Sequence, residues 1–133
     1  MAERVYCLYR GKDQESILMQ KNACHDFAEK KGWNIVGEEQ EIGVSGYKAS
    51  ADDRVKLQRI RKAAEQGEFD ILLVFMYDRL GRNLNETPFI AEWFTKKGIH
   101  VWSVYEGEII DGVDAERMLD YIRFWQTDEA QKL

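Results

Sequence analysis

Apolar and polar positions succeed one another along the chain in blocks that predict strands and helices in alternation. Short apolar runs at 5–9 and 71–77 are typical of buried strands, and longer segments between such runs place apolar residues at helical spacing. The pattern predicts strands over 4–9, 33–36 (with an acidic, edge-like extension over 38–41), 69–77 and 99–105. It predicts helices over 16–31, 53–66, 86–97 and from 114 to the end. This β-α-β-α-β-α-β-α order favours an α/β domain with a mainly parallel sheet, right-handed crossovers and helices on both faces.

The third predicted strand ends in an unusual group of charges. Its apolar run, from Ile71 to Tyr77, indicates a strand buried on both faces, and the sequence Asp-Arg-Leu-Gly-Arg at 78–82 follows at once. One carboxylate and two guanidiniums therefore stand at the carboxyl end of a central strand, where open α/β sheets bind ligands. Arginine suits a phosphodiester because it is always charged and its planar group binds two oxygens at once. The alternative is a solvent-exposed charged turn, but the strand-end position and the second arginine favour a site.

Further arginines are expected near this turn. Arg10 closes the first strand, so Arg10, Arg79 and Arg82 converge if the first and third strands are neighbours. Arg54 falls in the first turn of the second helix, where a cation opposes the helix dipole unless an anion lies nearby. The sequence has no Gly-rich phosphate loop, Cys/His metal cluster or Ser-His-Asp set. The residues thus predict an arginine cluster that holds a phosphate without an obvious metal.

Composition narrows the function classes. A chain of 133 residues with 44 % hydrophobic residues is typical of one globular domain, and its net charge of −5 argues mildly against nucleic-acid binding by the chain as a whole, though not at a local basic site. Cys7 and Cys24 fit no metal spacing and are predicted to be reduced core thiols of a cytoplasmic protein. His25 and His100 lack partner motifs and are predicted to be surface or hydrogen-bonded residues. No apolar run approaches the length of a membrane span.

Four motifs, in order and at suitable separations, carry a family resemblance over nearly the whole chain. They are Leu8-Tyr9-Arg10 (a Y-x-R pattern with Leu in place of the first Tyr), Gly43-Val44-Ser45-Gly46 (G-[IV]-S-G), Asp53-Arg54 (D-R before the second helix) and the D-R-L-G-R at 78–82. The chain resembles the catalytic domain of serine site-specific recombinases, the resolvase/invertase superfamily, and especially those of conjugative transposons and large serine integrases.

The resemblance implies a reaction. In this family a serine hydroxyl attacks a DNA phosphodiester, displaces a 3′-hydroxyl and leaves a 5′-phosphoserine; paired subunits of a tetramer then exchange the ends and reseal them. Neither ATP nor a metal cofactor is required, because the ester retains the energy and arginines offset the phosphoryl charge. On this basis the expected catalytic residues are Arg10, Arg54, Asp78, Arg79 and Arg82, where Asp78 orients an arginine or assists proton transfer. Weaker candidates for a supporting, DNA-contacting shell are Gln14, Gln20, Glu41 and Ser45.

The resemblance also implies a domain organisation. Residues 1–112 are expected to form a resolvase-like catalytic domain with a four- to five-stranded sheet. Residues 113–133 would begin a long C-terminal helix, whose apolar face includes Met118, Tyr121 and Trp125 and suits dimerisation. The expected partners are double-stranded DNA at specific sites and further copies of the chain, as dimer and tetramer, with no membrane. The DNA-binding region that follows this helix in the family is absent from the sequence, which would account for its acidic balance.

One departure concerns the nucleophile. The family pattern continues Y-x-R-V-S, whereas Lys12 stands at the serine position here and Gly11 at the valine. The nearest hydroxyl, on Ser16, lies at a predicted helix start, where an N-cap is a better interpretation than a nucleophile.

Three explanations stay open for this departure. The first is that loop residues between Arg10 and Gln14 are missing from the sequence. The second is that the domain was engineered, and the third is that it is a natural relative that assembles without cutting DNA. A flavodoxin-like or receiver-type domain shares the βα alternation but is disfavoured, because a receiver needs paired acidic residues where Arg10 stands.

Overall fold

The structure, a computed structural model, describes residues 2–42, 55–80 and 86–109. The loop at 43–46, the predicted caps Asp52 and Asp53, and the final helix lie outside these ranges. In chain order the described elements are β1 (Arg4–Gly11), α1 (Gln14–Lys31), β2 (Asn34–Ile42), α2 (Val55–Glu65), β3 (Ile71–Val74), a 3-10 turn (Tyr77–Arg79), α3 (Glu86–Lys96), β4 (His100–Ser103) and β5 (Gly107–Glu108).

The sheet has the strand order β2-β1-β3-β4-β5, and its first four strands are parallel. The prediction of a mainly parallel α/β sheet is confirmed. β1 and β3 are direct neighbours, with Val5 paired to Ile71 and Leu8 to Val74. Their carboxyl ends therefore meet at one edge of the sheet, as the sequence analysis required for an arginine cluster.

Helices cover both faces of β1 and β3. On one face Cys7, Tyr9 and Leu73 pack with residues of α1, and on the other Leu8, Leu72 and Val74 pack with residues of α2 and α3. All four residues of β3 are buried, which confirms the interpretation of its apolar run as a strand covered on both sides. Cys7 and Cys24 are free and buried, as predicted for core thiols.

The third strand is shorter than predicted. β3 ends at Val74, and Tyr77–Arg79 form a 3-10 turn in which the N–H groups of Arg79 and Leu80 donate to the carbonyls of Met76 and Tyr77, each at 3.0 Å. Tyr77 is only 5 % exposed, because the turn itself is packed into the core. The apolar run therefore continues past the strand, and hydrophobicity alone could not mark where the strand ends.

The segment 106–112, predicted as a loop, contains a short fifth strand at its start. β5 runs antiparallel to β4, with Trp102 paired to Glu108 and Ser103 to Gly107. The chain reverses between them through a turn in which the Glu106 N–H donates to Ser103 Oγ at 2.7 Å. This side-chain bond replaces a backbone partner and lets the strand form within a few residues.

Asp13, not Ser16, caps the first helix. α1 begins at Gln14, and the Ser16 backbone N–H donates to Asp13 Oδ1 at 2.9 Å. The prediction of Ser16 as the N-cap was wrong, because the Asp13 carboxylate accepts the free N–H of Ser16 and the helix begins two residues upstream of the predicted start. At the other end Gly32, with φ of 74°, terminates the helix as predicted.

Both histidines are exposed and partnered, as predicted: His25 Nε2 lies 2.8 Å from Glu38 Oε2, and His100 Nδ1 lies 2.9 Å from Glu108 Oε1. Among the helices that the structure describes, none has the length and apolar character needed to cross a membrane.

We expect Gly37→Ala to destabilise the domain through Tyr6. A Cβ on Gly37 would lie 2.7 Å from Cδ2 of the Tyr6 ring, which packs on Phe69 with ring centroids 5.2 Å apart. The ring must move, at a cost of about 1–3 kcal/mol in the free energy of unfolding measured in urea. In a Tyr6→Ala background the cost should fall to about 0.5 kcal/mol or less, because the obstacle is gone. Equal costs in both backgrounds would contradict this explanation.

Candidate functional site

Arg10 and Arg79 are interlocked at the edge where β1 and β3 end. Arg79 Nη1 donates to the carbonyl of Arg10 at 3.3 Å, and Arg10 Nε donates to the carbonyl of Arg79 at 3.4 Å. Arg10 Nη2 also donates to the carbonyl of Asp78. Each guanidinium is thus held against the backbone of the other arginine, so both positive charges are fixed at one place.

Asp78 accompanies this pair. Its Oδ1 lies 3.3 Å from Arg79 Nε, and neither of these two buried atoms has a hydrogen-bond partner within the described part of the chain. The Asp78 side chain is 46 % exposed and that of Arg79 29 %, so other atoms of both groups remain accessible from solvent. The carboxylate therefore lies beside the Arg79 guanidinium and offsets one of the two positive charges.

Gln20 holds the backbone of Arg10 from the first helix. This side chain is fully buried, its Oε1 accepts the Arg10 N–H at 3.1 Å, and its Nε2 donates to the Arg10 carbonyl at 2.8 Å. The same carbonyl accepts the bond from Arg79. Gln20 thus fixes the end of β1 relative to α1 and belongs structurally to the surroundings of the two arginines.

The remaining candidates are placed as follows. Glu41 is 4 % exposed and lies beside Arg10 in the register of β2 with β1, while Gln14 is exposed at the first position of α1. Arg54, Arg82 and Ser45 lie outside the described residues. The structure therefore brings Arg10, Asp78 and Arg79 together, and the catalytic or binding roles of all the candidates stay predictions.

The turn that carries Asp78 and Arg79 is held by residues that the sequence analysis missed. Glu106 accepts the Tyr77 N–H at 3.3 Å and the Ser103 hydroxyl at 2.9 Å, and the Tyr77 hydroxyl donates to the carbonyl of Gly107. Burial raises the pKa of Glu106, and the charge of Asp78 adds to this shift, while the bonds from Ser103 and Tyr77 oppose it. The contact between Ser103 and Glu106 could have been predicted from their Ser-x-x-Glu spacing, because the same spacing makes reciprocal hydrogen bonds in a capping box.

The chain between β1 and α1 provides no hydroxyl beside Arg10. Only Lys12 and Asp13 connect the two elements, and Lys12 is exposed. Of the two serines that the structure describes, Ser103 is fully buried at the end of β4, and Ser16 is half-buried at the start of α1. Within residues 2–42, 55–80 and 86–109, no group of three or more His, Cys, Asp or Glu side chains is arranged to hold a metal ion.

Comparison with solved structures identifies proteins of the same architecture. The N-terminal catalytic domain of TP901-1 integrase matches with a TM-score of 0.74 and 26 % identity, over 93 % of this chain and 96 % of that one. The C-terminal catalytic domain of ISC1926 TnpA, an IS607-like serine recombinase, matches with a TM-score of 0.67 and 26 % identity, over 77 % of this chain and 70 % of that one.

A resolvase family site-specific recombinase from Streptococcus pneumoniae shares the fold, with a TM-score of 0.69 and 23 % identity over 98 % of this chain and 89 % of that one. No curated protein sequence matches the chain. The sequence model of the resolvase N-terminal domain, in contrast, matches residues 10–129, which include β1 from Arg10 onward and the 78–82 motif. The chain therefore belongs to the resolvase family and has the fold of a serine recombinase catalytic domain.

Proposed function

We propose that this domain recombines DNA at specific sites, cutting each strand through a 5′-phosphoserine intermediate, exchanging the ends and resealing them. The observation that carries the proposal is the interlocked pair Arg10 and Arg79 at the edge of the sheet. Negative charge accumulates on the phosphoryl oxygens in the transition state of such a reaction, and positive groups that are already fixed stabilise it without reorganising. The domain would then need neither metal nor ATP.

Asp78 supports this role in one of two ways. Its position 3.3 Å from Arg79 Nε suits it to orient that guanidinium, and its exposed fraction suits it to exchange a proton with the leaving 3′-hydroxyl. Arg54 and Arg82 would complete the phosphate site, and Gln14, Gln20, Glu41 and Ser45 would surround it. Dimers and tetramers would form through the helix at 113–133.

A second candidate function is a non-cleaving module that assembles on DNA. It is favoured by the short connection between β1 and α1, in which Lys12 occupies the place of the expected serine. In this function the arginines would contact phosphates, but no ester would form. The two candidates share the phosphate site and differ in whether a covalent adduct with DNA can arise.

We expect Arg79→Ala to weaken DNA binding in a sequence-independent way. The variant is titrated with random-sequence duplexes at several salt concentrations, and binding is followed by fluorescence anisotropy. Its affinity should fall by the same factor for every duplex. The slope of log K against log salt should fall by about 1, because one phosphate contact is lost.

Arg4→Ala is the matched control for this experiment. It removes the same charge from the opposite end of β1, where Arg4 Nη2 pairs with Asp70 Oδ1 at 2.9 Å on the surface. The control should keep both the affinity and the salt slope. Equal effects of the two substitutions would show that the arginine cluster is not the phosphate site.

Lys12→Ser should distinguish the two candidate functions. It restores a hydroxyl two residues after Arg10, and Lys12→Ala removes the same charge without adding one. The probe is a pool of random-sequence duplexes with a 3′-bridging phosphorothiolate, whose thiolate leaving group does not reseal efficiently. A denaturation-resistant adduct mapped to position 12 by mass spectrometry is expected, and Arg79→Ala in the same chain should lower its yield by about 100-fold. An adduct-free position 12 with normal duplex binding would favour the non-cleaving module.

A further inference from the structure

We infer that Glu106 is a positioning residue of the phosphate site: its carboxylate holds the turn at 77–79, so a side chain from the turn between β4 and β5 determines where the charge of Arg79 lies. Glu106 acts through the backbone of Tyr77, to which it bonds, and not by contact with the phosphate. This inference rests on the proposed function, because it adds a residue to the same site.

The pairing of β3 with β4 brings Glu106 to this turn. The two segments stay side by side beyond the end of β3, where the Tyr105 N–H donates to the carbonyl of Phe75 at 3.3 Å. The next residue of this segment is Glu106, and its Oε2 accepts the Tyr77 N–H, also at 3.3 Å. Glu106 thus meets the chain at the first residue of the 3-10 turn.

The first N–H of the turn depends on this contact. A helical turn leaves its first N–H groups without partners inside the turn, and the side chain of Met76, the residue before it, makes no capping bond. Glu106 accepts the Tyr77 N–H, and the Tyr77 hydroxyl donates to the carbonyl of Gly107. Both the backbone and the ring of Tyr77 are therefore bonded to the turn between β4 and β5, and Asp78 and Arg79 follow directly in the chain.

Glu106 is itself held in place. Its Oε1 accepts the Ser103 hydroxyl at 2.9 Å, and the Glu106 N–H donates back to Ser103 Oγ at 2.7 Å. Each carboxylate oxygen thus accepts one bond, and Ser103 is fully buried. Burial raises the pKa of Glu106 and the charge of Asp78 adds to this shift, so the bonds from Ser103 and Tyr77 offset a cost of placing a carboxylate here.

The test compares Glu106→Ala with Glu108→Ala in the full chain. Both remove one negative charge from the same hairpin, but Glu108 pairs with His100, with Oε1 and Nδ1 2.9 Å apart. Glu108→Ala should keep or raise the affinity for the random-sequence duplexes, because a negative charge repels DNA. Glu106→Ala should lower it by about 5-fold, since Arg79 is no longer held where it meets the phosphate. A gain in affinity from both substitutions would overturn the inference.

The effect of Glu106 must also depend on Arg79. In an Arg79→Ala background, Glu106→Ala should change the duplex affinity by less than about 2-fold, because the charge that it positions is gone. A loss of the same size in both backgrounds would indicate a general effect on the fold and would contradict a positioning role.

Glu106→Gln keeps the shape of the side chain and serves where Glu106→Ala fails to fold. Its single amide oxygen can accept from Tyr77 or from Ser103 but not from both, and a protonated Glu106 is limited in the same way. The unaltered chain should therefore bind duplexes more tightly than Glu106→Gln at neutral pH. This advantage should shrink as the pH falls towards 4.5, the ordinary pKa of the group, because the raised pKa of Glu106 lies above it.

Asp78 is the charged group that faces Glu106 from the turn, and it titrates in both proteins, so its effect cancels in the ratio of their affinities. A ratio that stays the same at every pH would count against the inference.

The inference and the proposed function fail separately. If Arg79→Ala weakens duplex binding and Glu106→Ala does not, only the positioning role is wrong. If Arg79→Ala leaves duplex binding unchanged, the phosphate site itself is wrong, and the positioning role is lost with it.

Discussion

The parallel pairing of β1 with β3 determines where the charged side chains can meet. The two strands pair as far as Leu8 and Val74 and then separate, since β1 continues beside β2 to Gly11 while the chain after β3 enters the 3-10 turn. Where the two strands separate, their backbone carbonyls no longer accept hydrogen bonds from the neighbouring strand and need other donors. The guanidiniums of Arg10 and Arg79 provide them for residues 10, 78 and 79, so the same bonds that close the end of the sheet fix two positive charges there.

Because of this dual role, substitutions of Arg10 and Arg79 do not measure the same property. Arg10 bonds to two carbonyls of the turn, and Gln20 bonds to the Arg10 backbone, so replacing Arg10 disturbs the fold as well as the charge. Among the described residues, the Arg79 guanidinium bonds to the carbonyl of Arg10 and faces the carboxylate of Asp78, and the turn around it keeps its bonds to Glu106 and Gly107. Substitution of Arg79 is therefore the cleaner measurement of what the positive charge contributes to phosphate binding.

The sequence predicted the buried central strands, and it predicted that Arg10 would meet Asp78 and Arg79 if the first and third strands were neighbours, a condition that the pairing of β1 with β3 fulfils. It did not predict where β3 ends, since Tyr77 is buried in a turn and not in a strand. Asp13 and Ser16 are both good capping residues, so residue type alone does not decide between them. Likewise no local pattern shows that Gln20 bonds to Arg10, because that contact depends on the packing of α1 against β1.

The short connection between β1 and α1 determines which side chains lie near the end of β1. With β1 extending to Gly11 and Asp13 capping the helix, only Lys12 and Asp13 connect the two elements. The same shortness brings the first turn of α1 against the strand end, where Ser16 Oγ fits only because residue 11 lacks a side chain. The length of this connection is therefore the one geometric variable that sets both the place of position 12 after Arg10 and the packing of Ser16 against the end of β1.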